Sequence, residues 1–126
     1  MLGDKPAMAT IAVKDMAAAK KFYGGTLGLK EDRDGPDGVM YKSGDSGIFV
    51  YPSEFAGTNK ATYAAWGVGE DLDKIADDLK GKGVTFEHYD NLPGTTLEGD
   101  VHVMGDLRAV WFKDPDGNIL NLVNGM

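Results

Sequence analysis

Residues 8–29, MATIAVKDMAAAKKFYGGTLGL, decide how this chain is read. From Met8 to Val13 the sequence alternates. Ala9, Ile11 and Val13 face one way and Met8, Thr10 and Ala12 the other, which is the pattern of a half-buried strand. Asp15 then stands where a helix N-cap belongs, and Met16, Ala19, Phe22 and Tyr23 follow at helical spacing. Gly24 and Gly25 stop that helix, and the chain leaves through Leu27-Gly28-Leu29. The opening unit is therefore strand, acidic cap, helix, glycine, apolar strand.

The same unit returns 55 positions later (68 − 13), where Val13 falls on Val68, Asp15 on Glu70, Gly28 on Gly83 and Leu29 on Val84. After the first helix the spacing predicts three strands, Leu29–Arg33, Val39–Lys42 and Ile48–Tyr51, separated by DGPDG and SGDSG turns. In the second half ATYAAWGV reads as a strand and EDLDKIADDLKGKG as a helix with Leu72, Ile75, Ala76 and Leu79 on one face. Val84–His88, Arg108–Lys113 and Ile119–Val123 read as strands, and residues 89–100 as loop. Tyr51 and Asn121, late in each half, match only at an offset of 70 (121 − 51), so the second half carries 15 more residues (70 − 55). These are placed in the loop from Tyr89 to Gly105. The expected architecture is α+β: two tandem βαβββ modules, about 7–55 and 61–124 of a single 1–126 domain, forming a curved mixed sheet around a cavity, with one helix per module outside.

Composition bounds the function. The 126 residues carry 13 Lys+Arg against 20 Asp+Glu, a formal charge of -7. A surface that acidic repels phosphate backbones and favours a cationic small molecule, so nucleic acid is excluded as a partner. Hydrophobic residues make up 42% of the chain, enough to close a core. No run of 18 apolar residues offers a membrane span, and MLGDKPAMAT lacks the basic flank and apolar run of a secretory leader, so the expected location is cytoplasmic. With no cysteine, there is neither a disulfide scaffold nor a thiolate metal site.

Two segments carry a family resemblance. IAVKDMAAAKKFYGGTLGLK, at residues 11–30, resembles the opening of the vicinal oxygen chelate superfamily, which includes glyoxalase I, bleomycin-resistance proteins and extradiol dioxygenases. AVWFKDPDGNILNLV, at residues 109–123, resembles its closing hairpin. The turn Asp114-Pro115-Asp116-Gly117 has a physical reading of its own, because proline fixes one φ and glycine permits the reversal, so its aspartates serve a turn and not an acid–base pair. The resemblance implies the two-module fold, a homodimer, a small-molecule ligand and, in metal-dependent members, four ligands on four inward strands.

Carried onto this sequence, those four positions are Met8, seven residues before Asp15; Tyr51, with Val50 as the alternative register; Tyr63; and Asn121, seven residues after Asp114, where the family pattern has Glu. Thioether, neutral phenol and amide are poor donors to a divalent ion. The two histidines, His88 and His102, match none of the four positions. No metal, no cofactor and no catalytic residue are therefore assigned. The expected function is that of a glyoxalase/bleomycin-resistance-type protein binding a small organic ligand without metal. The alternatives are a metal- or base-dependent lyase or isomerase similar to lactoylglutathione lyase, a dioxygenase of the same superfamily, and a dimer with no ligand.

Strand alternation puts Ile11, Val13, Trp66, Val68, Val110, Phe112, Leu120 and Leu122 against the helices. It puts Met8, Thr10, Tyr51, Tyr63, Ala65, Ala109, Trp111 and Asn121 on the opposite face. The stretch GTTLEGDVHVMGDLR, residues 94–108, is expected to lid the cavity and to bring His102, Met104 and Arg108 to it. The expected ligand pocket is Met8, Thr10, Tyr51, Tyr63, His102, Met104, Arg108, Trp111 and Asn121.

Overall fold

The alternating stretch that opens the chain is strand β1 (Ala7–Val13) in the computed structural model, which describes residues 1–26, 28–58, 60–113 and 119–125. Nine strands and two α-helices are formed among these residues, an α+β fold with mixed strand pairing. The chain divides into two compact units, one of Met8–Ala64 and the other of Met1–Ala7 with the chain from Ala65 onward.

In the N-terminal unit, Asp15 caps α1 (Met16–Lys20), its side chain accepting from the Ala18 amide at 3.1 Å. Strands β2 (Lys30–Gly35), β3 (Gly38–Ser43) and β4 (Ser46–Pro52) follow. β2 and β3, then β3 and β4, pair antiparallel, and β4 runs parallel to β1 with Ile11 opposite Val50. Gly38 has φ 152°, and a Cβ there would lie 2.5 Å from the Val50 carbonyl oxygen, so only glycine lets β3 start this close to β4. The core is Ala19, Val39, Tyr41 and Val50, with Ile11, Val13, Met16, Tyr23 and Ile48 packed against it.

In the C-terminal unit, the end of β5 (Thr62–Gly67) leads through a 3-10 turn into α2 (Leu72–Gly81). Leu72, Ile75, Ala76 and Leu79 bury one face of α2 against Trp66, Val68, Val110, Phe112, Leu120 and Leu122, the partition that alternation predicts. Strands β6 (Thr96–Glu98), β7 (Val101–Met104), β8 (Leu107–Lys113) and β9 (Ile119–Val123) pair antiparallel in sequence order. The Val68 amide donates to Val123 O at 2.9 Å.

Three local expectations are corrected. The first helix ends at Lys20, and Lys21–Thr26 widens into a π-helical turn. A wider turn rotates successive side chains less than an α-helix does, so Tyr23 packs on Tyr41 while Phe22 is left 48% exposed. Val84–His88 is not a strand but a single bridge, Phe86 to Phe112, with the Glu87 amide on Trp111 O at 2.8 Å. The reason is competition for one edge: β7 pairs the first half of β8, with His102 opposite Ala109, and leaves only the second half for residues 86 and 87. Residues 94–108 are not a lid, because β6 and β7 lie within them as sheet strands. Elements of three and four residues are too short to show alternation in sequence. The turn at 114–118 lies outside the described residues.

Candidate ligand-binding face

Each unit has a sheet face that its helix leaves bare. In the N-terminal unit Phe49 and Tyr51 stack there, rings 6.0 Å apart and inclined by 9°. A Cβ on Gly47 would meet Met8 Cε at 3.1 Å and Met40 Sδ at 3.6 Å, so two thioethers converge over the one residue without a side chain. Thr10 and Tyr51 share a partner: Thr10 Oγ1 donates to Thr62 O at 2.6 Å, and the Thr62 amide donates to the Tyr51 phenol oxygen at 2.9 Å. These two polar groups therefore bracket the start of β5. Tyr63, the next residue, is 41% exposed.

In the C-terminal unit the bare face carries His102, Ala109, Trp111 and Asn121, with Met104 of β7 on the same side by alternation. Asn121 is buried, and its amide nitrogen donates to Val110 O at 3.0 Å and Leu122 O at 3.4 Å. His102, expected to reach the cavity from a lid, is instead a fully buried residue of β7. Its Nε2 accepts the Tyr89 amide at 2.9 Å, so the neutral ring carries its proton on Nδ1, which lacks a hydrogen-bond partner. Burial holds the imidazole below its usual pKa; the Ala109 backbone opposes this shift without completing a hydrogen bond of good geometry. The His102 and Trp111 rings meet edge to face at 4.9 Å, and Tyr89 packs on both, at 5.7 Å and 5.6 Å.

Arg108 does not join this face. It lies on the α2 side of β8, where its guanidinium holds both oxygens of Asp73, at 2.9 and 3.1 Å. Alternation from Val110 assigns it to that side as well, away from the face that carries Trp111. Met40 and Phe49 could have been read from the same parity as Tyr51. Tyr89 could not, because nothing in its loop shows which way it turns.

The donor set does not fit a divalent metal. Met8 offers a thioether, Tyr51 a phenol already accepting the Thr62 amide, Tyr63 an exposed phenol, and Asn121 an amide tied to two carbonyls. Among the described residues no three His, Asp or Glu side chains converge.

Two surface grooves open elsewhere on the C-terminal unit. One, of about 310 Å³, is bounded by Gly69, Leu72, Arg108 and Asn124. The other, of about 340 Å³, runs beside Phe86 to a charged cluster in which Asp100 accepts from His88 at 2.7 Å and from Lys80 at 3.0 Å. The His88 and Lys80 contacts hold the Asp100 carboxyl below its usual pKa.

The model of the Glyoxalase/Bleomycin resistance protein/Dioxygenase superfamily matches residues 5–122, and the chain belongs to that superfamily. Solved structures share the fold at low identity. A superfamily member from Vibrio splendidus 12B01 is 12% identical, with a TM-score of 0.58 over 94% of this chain and 97% of that one. A Legionella pneumophila protein described as an NAD-dependent benzaldehyde dehydrogenase is 17% identical, with a TM-score of 0.66 and coverages of 94% and 97%. The 2,3-dioxygenase LapB from Pseudomonas sp. KL28 is 24% identical, with a TM-score of 0.57, and this chain covers 39% of it. No curated protein sequence matches. Among the described residues, no helix is long and apolar enough to cross a membrane.

Proposed function

We propose that the protein binds a small organic ligand on the sheet faces its helices leave bare, by aromatic and thioether contact and without a metal. The observation that carries this reading is the chemistry of the four positions where metal-dependent relatives would place ligands. There, Tyr51 and Asn121 have polar groups committed to the backbone, and the surroundings are Met8, Met40, Phe49 and Trp111. Such a surface can grip a flat apolar body, and methionine adapts to its outline. The formal charge of -7 favours a cation. Homodimeric assembly is part of the proposal, since short edge strands such as β6 are commonly covered by pairing.

Titration with the aromatic cation ethidium, alongside elemental analysis of the purified protein, tests the reading. Saturable ethidium binding that weakens with salt, in protein holding no stoichiometric Zn, Ni, Mn or Fe, is expected. About one metal per chain, with activity lost to a chelator, would sink it and favour the lyase, isomerase or dioxygenase chemistry of metal-dependent members. Light scattering should give twice the 13.5 kDa chain mass.

A further inference from the structure

Between the bridge at Phe86 and the start of β6 at Thr96, the chain forms a strap that leaves the sheet. The Tyr89 amide ties the strap back by donating to His102 Nε2, and its ring packs on Trp111. This bond has an unusual acceptor: an imidazole nitrogen that also takes a proton. Once Nε2 carries hydrogen it can no longer accept from the Tyr89 amide, and two N–H groups then face one another inside a buried aromatic cluster. Among the described residues Nδ1 completes no hydrogen bond even in the neutral ring, and the Ala109 backbone only partly offsets the cost of charging it.

We propose that His102 is a proton-operated latch: its neutral imidazole holds the strap of residues 89–95 to β7 through Tyr89, and protonation releases the strap and uncovers Trp111. The charges around the ring agree with this. On the strap side His88 opposes charging of His102, and Tyr89 presents a ring. Glu87 is paired with Lys113, Asp100 with His88 and Lys80, and Arg108 with Asp73. Asp90 on the strap and Glu98 on β6 are exposed. Among the described residues, no carboxylate is placed to hold the imidazolium in the closed state. A released His102 regains an ordinary imidazole pKa of about 6.5, so acid favours the open form. That this regulates ligand access rests on the function proposed above; the latch itself does not.

The test is hydrogen exchange at the Tyr89 amide in the full chain from pH 8 to pH 5, corrected for the intrinsic rate. The opening equilibrium should rise by up to about tenfold per pH unit below about 6.5, with the His102 ring titrating over the same range. Acrylamide quenching of Trp111, read in a Trp66→Phe background, should rise in parallel. His102→Gln keeps an acceptor but no titration, and should flatten the response; His88→Gln should leave it intact. Unchanged Tyr89 protection from pH 8 to 5 overturns the latch, as does a response that survives His102→Gln or disappears in His88→Gln. Should a variant fail to fold, the unsubstituted protein decides: a His102 titration that does not coincide with the loss of Tyr89 protection overturns the proposal. These readings need no ligand, so failed ethidium binding would remove the proposed function and leave the latch standing.

Discussion

The Tyr51 phenol oxygen accepts the backbone amide of Thr62 at 2.9 Å, and Thr10 Oγ1 reaches the Thr62 carbonyl at 2.6 Å. One residue at the start of β5 thus has both its backbone polar groups held by side chains from β1 and β4. The Tyr51 phenol therefore positions a strand.

Tyr51→Phe should accordingly behave as a stability mutant. It removes the acceptor from a part-buried amide and should cost about 1 kcal/mol in urea unfolding, while ethidium affinity changes little because the ring remains. Affinity lost without a change in the unfolding midpoint would show that the hydroxyl serves the ligand instead.

Trp111 and Phe112 are neighbours on β8 with opposite surroundings. Phe112 is buried in the core beneath α2, edge to face with Phe86 at 5.9 Å, and its replacement by Ala should cost about 3–5 kcal/mol. Trp111→Ala should cost clearly less and abolish ethidium binding. Denaturant melts of the pair decide this, and the reverse order would remove Trp111 from the binding face.

Asp100 gives the fold a pH dependence of known sign. Its carboxyl is held below the ordinary 3.8, first by the His88 hydrogen bond and then by Lys80. A depressed carboxylate contributes its stability above the ordinary pKa and loses it as pH falls through the lowered one. Asp100→Asn should therefore be less stable than the parent at pH 7, and the gap should close in melts run below about pH 3.8. A gap independent of pH would mean that the contribution is packing rather than charge.

Arg108 and Asp73 form a two-pronged ion pair at the surface, which limits its worth to less than about 1 kcal/mol. A double-mutant cycle with Arg108→Ala and Asp73→Ala should return a coupling of that size, screened by salt, with ethidium binding unchanged. Weaker binding in Arg108→Ala alone would return this residue to the ligand site.

Several features of the fold are local and were legible in the sequence. Asp15 caps α1 because a short side-chain oxygen before an alanine run satisfies an orphan amide wherever it occurs. Leu72, Ile75, Ala76 and Leu79 share a face because helical geometry leaves no other arrangement, and the parity of Val110, Phe112, Leu120 and Leu122 follows from the strand period of two. The repeat at an offset of 55 is a comparison of the sequence with itself.

The remainder depended on which segments competed for the same partner. Whether Val84–His88 became a strand was decided when β7 took the first half of the β8 edge, a pairing between segments that no local pattern records. His102 reads as part of a lid because its neighbours read as loop; with β6 and β7 formed, the same residue is enclosed by Tyr89 and Trp111. Sequence showed that Met8, Tyr51, Tyr63 and Asn121 are poor metal donors, since that follows from side-chain chemistry alone. What Tyr51 and Asn121 do instead required knowing which backbone groups lay within 3 Å or so of them, and long-range strand register sets that distance.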